Sequence, residues 1–180
     1  MIALPPEVRI RPYRPEDASG LFEAARESVA EVNLWLSWCH RDYSIDEAQQ
    51  WATSQALAFE QGREYEFVVT DGKGRFLGGC GLNHINCADR GANLGYWVRT
   101  SEVGHGVALQ AVRKVVEFAF TATNLERLEI VCAVGNRASQ RVAEKSGAAR
   151  EGIARGRIFL RGQACDAVVY SILRSDAATV

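Results

Sequence analysis

The chain has 180 residues, of which 47% are hydrophobic and 24% are charged, a composition typical of folded globular proteins and not of disordered ones. This length is enough for one domain with a sizeable core, so we predict a single domain over residues 1–180 with its core over about residues 8–175. A net charge of −1 gives no general attraction to nucleic acid or anionic membranes, and neither is expected as a partner.

The first predicted elements are a strand and two helices. Val8–Tyr13 alternates apolar and basic residues, as a strand does, and Pro15–Asp17 has the residue types that begin a helix. Ser44 is followed three residues later by Glu47, which predicts a capping box at the start of the second helix. Gly62 is the expected end of that helix.

Three strands and a long helix are predicted next. Phe67–Thr70 and Phe76–Ile85 are rich in strand-forming residues and flank "DGKG", whose glycines suit a tight hairpin turn. Gly91–Arg99 is a further strand. Val107–Thr121 is a helix with one apolar face, for which the spacing predicts six buried residues: Ala108, Ala111, Val112, Val115, Ala119 and Phe120.

The remainder of the chain predicts strands and one short helix. "LERLEIVCAV" is a buried strand, "NRASQRVAEKSGA" is a helix ending at Gly147, and "AVVYSILRSD" is the last strand. The element order is then β-α-α-β-β-β-α-β-α-β-β. Three consecutive strands in the middle exclude a doubly wound parallel sheet, so we predict an α/β protein (α+β type) with a mixed sheet flanked by helices.

The cysteines and the N-terminal residues indicate the cellular compartment of the protein. The five cysteines are widely spaced and include no Cys-x-x-Cys pair, which favours reduced thiols over a disulfide framework or a zinc site: Cys39, Cys80, Cys87, Cys132 and Cys165. No metal is therefore expected. The start "MIALPPEVRIRPYRPED" lacks the apolar region of a signal peptide, and no apolar run approaches the roughly 18 residues of a membrane span. A soluble, cytoplasmic protein is expected.

The loop "VGHGVA", residues 103–108, joins a predicted strand to the long helix. A helix N-terminus carries unpaired amides and the positive end of the helix dipole, and glycines let a ligand approach the backbone. The loop is therefore a candidate diphosphate site, although a plain strand-to-helix turn uses the same glycines. A P-loop is excluded because no Lys follows Gly106, and a dinucleotide fingerprint because Leu109 replaces its third glycine.

The element order and this loop resemble the GNAT fold of acetyl-CoA-dependent N-acetyltransferases, whose signature is Gln/Arg-x-x-Gly-x-Gly/Ala at the start of the long helix. Val103 stands in the Gln/Arg place, Gly106 in the first Gly place and Ala108 in the last. The departure at Val103 removes a side chain and leaves the backbone amides, which the resemblance implies are the main diphosphate ligands.

Further matches resemble the ribosomal-protein N-acetyltransferase (RimJ/RimL-like) branch. "WLSWCHRDYSIDEAQQW" is similar to its Trp-Leu-Pro-Trp segment, "NLGYWVR" to its strand before the loop, and "CAVGNRASQRVAEKSGAAREGIARG" to its Asn-x-x-Ser block. Together they cover most of Arg9–Arg174. The stretch "RGRIFLRGQACDAVVY" would be a hairpin over the acceptor cleft.

The resemblance implies direct transfer of an acetyl group from acetyl-CoA to a primary amine, for which the N-terminal amine of a ribosomal protein is one acceptor. Two alternatives stay open. In the first, the chain would be a non-enzymatic acyl-CoA sensor or adaptor. In the second, it would be an enzyme that transfers another acyl group or acts on a small-molecule amine. A homodimer is compatible with each of these readings.

The resemblance also implies which residues bind coenzyme A. A backbone amide near Trp97 or Val98 would stabilise the thioester oxygen, and Val98 and Arg99 would pair with pantetheine. The diphosphate would lie on the loop formed by Val103, Gly104, His105, Gly106, Val107 and Ala108. Asn136 would bind the pantetheine arm and Ser139 would lie near the leaving sulfur, unless both only cap a helix.

The general base and the acceptor wall are less specific. Asn93 stands where many members of the family have a strand glutamate, so Glu66 or His84 is the candidate base, acting through water. His84 is alternatively a surface hairpin residue. The acceptor site would be walled by the segment between the first two helices, whose aromatics alternatively serve helix packing: Trp35, Leu36, Trp38 and His40.

Overall fold

The computed structural model describes residues 7–177. Its strands are β1 (Arg9–Pro12), β2 (Tyr65–Thr70), β3 (Phe76–Asn86), β4 (Gly91–Val98), β5 (Arg127–Ala133), β6 (Ala149–Leu160) and β7 (Gln163–Leu173). Its helices are α1 (Ala18–Val32), α2 (Ile45–Glu60), α3 (Val107–Ala122), α4 (Arg137–Lys145) and the one-turn α5 (Arg174–Ala177), with 3-10 turns at Pro15–Asp17 and Thr100–Glu102. Apart from α5 and the 3-10 turns, this is the predicted element order.

The seven strands form one mixed sheet in the order β1-β2-β3-β4-β5-β7-β6. Neighbouring strands are antiparallel except β4 and β5, which are parallel and joined through α3. The mixed sheet confirms the predicted fold class. The single domain over residues 1–180 stays a prediction, because residues 1–6 and 178–180 lie outside the described range, as does part of the stretch on which the absence of a signal peptide was predicted.

Helices cover both faces of the sheet. One core cluster packs α3 and α4 on strand residues such as Phe67 and Leu94, and a second packs α1 and α2 on the opposite face against Val68 and Phe76. Adjacent residues Phe67 and Val68 thus enter different cores, as the alternation of side chains along a strand requires. Val107 is buried at the start of α3, whereas Ala108, predicted on the buried face, is only half-buried.

The feature that creates a site is the separation of β4 from β5. Their parallel pairing covers Gly91–Asn93 and Arg127–Glu129 and does not extend further. Beyond that point β4 stays paired with β3 through Val98, and β5 stays paired with β7 through Ala133. Each of the two strands consequently has a backbone edge that faces a gap in the sheet.

The capping box and the terminating glycine predicted for α2 lie at the observed ends of that helix. Ser44 and Glu47 form the predicted capping box, in which the Glu47 amide donates to Ser44 Oγ at 3.2 Å and the Ser44 amide donates to Glu47 Oε2 at 2.9 Å. Gly62 follows the end of α2 with a φ of +65°.

Within the described range, no helix combines the length and the apolar character needed to cross a membrane.

The last predicted strand was placed too late in the chain. The observed β7 begins at Gln163 and ends at Leu173, and Arg174 begins a helical turn. The physical reason is that the Arg174 side chain turns back onto the end of α3, where it donates to the carbonyl oxygens of Phe120, Thr123 and Leu125.

Candidate active site

A cleft of about 1460 Å³ occupies the gap between β4 and β5. Besides the loop before α3 and one face of α4, the longest stretches of its lining are Leu34–Trp38, Gly91–Val98, Ile130–Ala133 and Arg157–Leu160. Elements from both faces of the sheet therefore meet at one opening. The cleft is large enough for an extended ligand that passes through the sheet.

The loop between β4 and α3 forms an open cradle of backbone amides. Gly104 and Gly106 have φ values of +86° and +78°, a left-handed region that glycine adopts without strain. A Cβ built on either glycine would meet no heavy atom within 4 Å. The first backbone bond of α3 runs from the Gln110 amide to the Gly106 carbonyl, so the amides of Val107 and Ala108 have no acceptor within the helix. This geometry suits an anion.

Helix α1 holds this loop in place. The Ser101 amide donates to Glu27 Oε1 at 2.9 Å, and the Thr100 amide donates to Ser28 Oγ at 3.0 Å. The Arg99 guanidinium pairs with Glu27 and lowers the pKa of that carboxyl to about 2. The turn that leads into the cradle is therefore held in place before any ligand binds, which lowers the cost of binding.

Tyr96, Cys132 and Ser139 form a polar cluster in the cleft. The Tyr96 hydroxyl lies 2.8 Å from the Ser139 carbonyl oxygen and 2.9 Å from Ser139 Oγ, and Cys132 Sγ lies 3.1 Å from the same Oγ. Burial raises the pKa of both Tyr96 and Cys132, so both groups hold their protons near neutral pH. Asn136 Oδ1 accepts from the Ser139 amide at 3.1 Å and caps α4.

Aromatic side chains enclose the other end of the cleft. Trp38 packs edge-on against Trp97, with ring centroids 5.1 Å apart. A Cβ on Gly135, in the turn between β5 and α4, would lie 3.4 Å from the Trp35 ring. Trp35 thus spans from the α1–α2 segment to the opposite side of the cleft. All three tryptophans line it.

A chain of hydrogen bonds crosses β2, β3 and β4. Asn83 Nδ2 donates to Glu66 Oε1 at 2.9 Å, and Asn93 Nδ2 donates to Asn83 Oδ1 at 2.9 Å. Burial raises the pKa of Glu66 to about 7, although the bond from Asn83 lowers it. Asn93 lines the cleft, whereas Glu66 reaches it only through the two amides.

The structure brings most of the predicted site residues to this cleft. Those that line it are Trp35, Leu36, Trp38, His84, Trp97, Val98, Val103, Gly104, Gly106, Val107, Ala108, Asn136 and Ser139. His40 instead contacts Glu47, with 3.1 Å between Nε2 and Oε1, and His105 is exposed outside the lining. The Arg99 amide donates to the Leu77 carbonyl and its carbonyl accepts from Glu102, so its backbone is already paired.

Sequence reasoning missed the contribution of α4 to the cleft. Ala138, Arg141, Val142 and Lys145 line it from one face of that helix. Their spacing of three, four and seven residues is the helical period, so a pattern search could have found them. Arg141 and Lys145 bring positive charge to the lining of the cleft.

The polar groups of the cleft are main-chain amides, hydroxyls, a thiol and side-chain amides. Between residues 7 and 177, no three His, Cys, Asp or Glu side chains come together in a metal-binding arrangement. Chemistry in the cleft can draw on main-chain amides, on the hydroxyl and thiol groups of the Tyr96 cluster, and on the polar chain that ends at Asn93.

Known proteins share this sequence and this architecture. A family model described as an acetyltransferase (GNAT) domain matches residues 7–149. YdaF of Bacillus subtilis (strain 168), provisionally named as a ribosomal N-acetyltransferase, is 30% identical over 176 residues, covering 94% of this chain and 92% of YdaF. Spermidine N(1)-acetyltransferase of Vibrio cholerae serotype O1 is 26% identical over 144 residues, covering 79% and 82%.

A solved structure of RimL, a ribosomal L7/L12 α-N-protein acetyltransferase in complex with coenzyme A, superposes on the chain with a TM-score of 0.87 at 20% identity, covering 97% of this chain and 98% of RimL. These findings confirm the predicted fold, the acyltransferase class and the acetyl-CoA co-substrate. The chain belongs to the GNAT family of acetyltransferases, in its ribosomal-protein N-acetyltransferase (RimJ/RimL-like) branch.

Proposed function

We propose that this GNAT acetyltransferase transfers the acetyl group of acetyl-CoA directly to a primary amine at a protein N-terminus. The observation that carries the proposal is the amide cradle at Gly104–Ala108, which opens into a cleft between two separated strands. In the reaction a bond forms between the amine nitrogen and the acetyl carbon. The carbon–sulfur bond breaks, and the thiol leaves with a proton.

The residues present fit coenzyme A. The space beside Gly104 and Gly106 that a Cβ would fill is open to a diphosphate, which the amides of Val107 and Ala108 would bind. Val103 is 59% exposed, so its side chain leaves these amides accessible. Bound acetyl-CoA supplies the thioester whose acetyl group is transferred. Asn136 would offer its amide nitrogen to the pantetheine arm.

The amide of Val98 is the best candidate for stabilising the thioester oxygen. The Arg99 amide donates to β3 through the Leu77 carbonyl at 2.8 Å. Successive residues of an extended strand direct their amides to opposite edges, so the Val98 amide is expected to face the cleft. A preorganised amide donor at such a position contributes about 2.7–4 kcal/mol of transition-state stabilisation in other acyl-transfer enzymes. The Trp97 side chain is better explained as part of the aromatic wall.

Ser139 is proposed as the proton donor to the leaving sulfur. Its hydroxyl lies within hydrogen-bond distance of both Tyr96 and Cys132. Burial raises the pKa of Tyr96, so its hydroxyl stays neutral beside Ser139, and the proton that Ser139 gives up is replaced by the one that the amine loses. Proton transfer by a positioned group contributes about 10²–10⁴ in rate.

The amine needs little help from a base. A protein N-terminal amine has a pKa of about 7.7–8.0 and is partly neutral at pH 7. His84 lines the cleft and can accept a proton through water, which supports it as the base over Glu66. Glu66 is separated from the cleft by Asn83 and Asn93, and side-chain amides do not readily pass on protons.

A small-molecule polyamine is the second candidate acceptor. Of the four acidic residues that line the cleft, Glu102 and Glu129 are paired with Arg75 and Arg127. Glu31 and Asp89 have no ion-pair partner among residues 7–177, so these two would attract a polycation. The similarity to a spermidine acetyltransferase supports this candidate as well. The aromatic wall of Trp35, Trp38 and Trp97 is compatible with either acceptor. That the transferred group is acetyl and not a larger acyl group stays a prediction.

One assay tests the proposal. The full chain is incubated with acetyl-CoA and a panel of N-terminal peptides and polyamines, and thiol release is followed while calorimetry measures CoA binding. Thiol release with peptides supports the proposal, and release with polyamines alone supports the second candidate. CoA binding without turnover on any amine would favour the sensor alternative. Absence of CoA binding would contradict every reading. The homodimer and the cytoplasmic location stay predictions.

A further inference from the structure

The polar chain Glu66–Asn83–Asn93 lies on a surface made of glycines. A Cβ on Gly81 would come within 2.2 Å of Glu66 Oε2, so only glycine lets the carboxyl group lie across β3. On β4, a Cβ at Gly95 would lie 3.7 Å from Asn83 Nδ2 and 3.8 Å from Asn93 Nδ2. Gly81 therefore makes room for a row of polar groups on the face of the sheet that α1 and α2 cover, and Gly95 is in ordinary contact with that row.

Above pH 7, where Glu66 is mostly ionised, its carboxylate fixes the direction of every hydrogen bond in the row. A carboxylate only accepts, so Asn83 must turn its nitrogen toward Glu66 and its oxygen toward Asn93. Asn93 then donates its nitrogen to Asn83. The other polar atom of the Asn93 side chain, Oδ1, receives no hydrogen bond from residues 7–177 of the structure. Asn93 is half-buried and lines the cleft.

The position of Asn93 places this oxygen on the acceptor side. Asn93 forms the last pair between β4 and β5, opposite Glu129, and the gap begins after it. Its side chain is on the same face of β4 as that of Trp97, with Gly95 between them. Four residues of strand span about 13 Å. An acceptor held by the tryptophan wall would extend over Gly95 to Asn93.

We propose that Asn93 Oδ1 binds an N–H group of the amine acceptor, and that Glu66 and Asn83 are positioning residues that hold this oxygen toward the cleft. The proposal rests on the acetyl transfer proposed above and names a contact that selects its acceptor. A donor-rich acceptor, such as a peptide with its backbone amides, satisfies the oxygen. An acceptor without a second N–H group does not.

The test compares four variants with the acceptor that the wild-type protein turns over fastest in the panel. Asn93→Ala removes the oxygen, whereas Asn93→Asp keeps an accepting oxygen and loses the nitrogen that donates to Asn83. Glu66→Gln removes the fixed direction, because a glutamine amide can turn either its oxygen or its nitrogen toward Asn83. Glu23→Gln, on the exposed side of α1, is the matched control for the same chemical change.

We expect Asn93→Ala to raise the KM for the acceptor roughly tenfold, the effect of one lost hydrogen bond, with the CoA dissociation constant unchanged. Asn93→Asp and Glu66→Gln should each raise that KM about threefold, because an accepting oxygen remains but its orientation is no longer fixed, and Glu23→Gln should leave it unchanged. A merely structural role would not separate acceptor KM from CoA affinity in this way.

Two results would overturn the inference alone: an unchanged acceptor KM in Asn93→Ala, or a loss of CoA affinity parallel to the rise in KM. If Asn93→Ala does not fold, an unchanged KM in Glu66→Gln overturns it. A wild-type protein that releases no thiol with any amine overturns the proposed acetyl transfer, and this inference with it.

Discussion

Substitution of Gly104 separates the cost of backbone strain from the loss of ligand binding. Gly104 and Gly74 share a φ of +86°, and a Cβ on either one meets no heavy atom within 4 Å. Gly74 lies in the turn between β2 and β3, and only Gly104 lines the cleft. Gly104→Ala and Gly74→Ala are therefore matched in strain and differ in whether the new methyl group enters the proposed diphosphate site.

Both variants should lose about the same stability. A non-glycine residue in the left-handed region costs about 1–2 kcal/mol, and the lower entropy of the unfolded alanine chain returns about 0.4–1 kcal/mol. We expect a net loss near 1 kcal/mol for each, measured by urea denaturation. In calorimetry, Gly74→Ala should bind CoA like the wild type. Gly104→Ala should bind it at least about tenfold more weakly, equal to about 1.4 kcal/mol, because its Cβ projects into the cradle.

Equal CoA affinity in the two variants would refute the diphosphate assignment, since strain would then be the only consequence of either change. A Gly104→Ala protein that binds CoA normally while Gly74→Ala does not would refute the steric reasoning itself. Binding of 3′-dephospho-CoA serves as a control, because it keeps the diphosphate and should show the same difference between the two variants.

Three further predictions follow from contacts described above. Burial raises the pKa of Glu66 to about 7, so the protonated carboxyl stabilises the fold fully below pH 4.5, and this contribution is lost as the pH rises through 7. Glu66→Gln should remove about 3 kcal/mol of the pH dependence of the free energy of unfolding, measured by denaturation at several pH values. The same pH dependence in wild type and variant would contradict this prediction. Ser139→Ala should lower kcat for thiol release about 10- to 100-fold with unchanged CoA affinity, and an unchanged kcat would exclude it as the proton donor. Arg174→Ala should cost about 2–3 kcal/mol in urea denaturation because it leaves the carbonyls at the end of α3 without their charged donor, and a loss below about 1 kcal/mol would show that water replaces it.

Features set by local chemistry were predictable from the sequence. The capping box at Ser44, the hairpin turn and the glycine loop before α3 depend on residues a few positions apart, and each has its expected place. The apolar period of α3 likewise predicted its buried face. Only Ala108 differs, because the first turn of the helix borders the cleft instead of the core.

Features that depend on the relative register of distant strands were not predictable. The gap between β4 and β5 follows from where a parallel pairing stops, and no pattern within either strand marks Asn93 as that point. The row Glu66–Asn83–Asn93 exists because Asn83 pairs with Asn93 on β4 and lies two residues beyond Gly81, the partner of Glu66 on β2. The sequence offered Glu66 as a base, but it could not show that two amides stand between this carboxyl and the cleft.

Helix α1 is attached to both halves of the site. Three of its residues, Glu27, Ser28 and Glu31, hold the turn that precedes the amide cradle, and the chain leaves its C-terminal end directly into the tryptophan segment Trp35–Trp38. A ligand that tightens the turn consequently restricts the segment that receives the second substrate. Such a linkage favours a ternary complex in which each ligand increases the affinity for the other to the same degree.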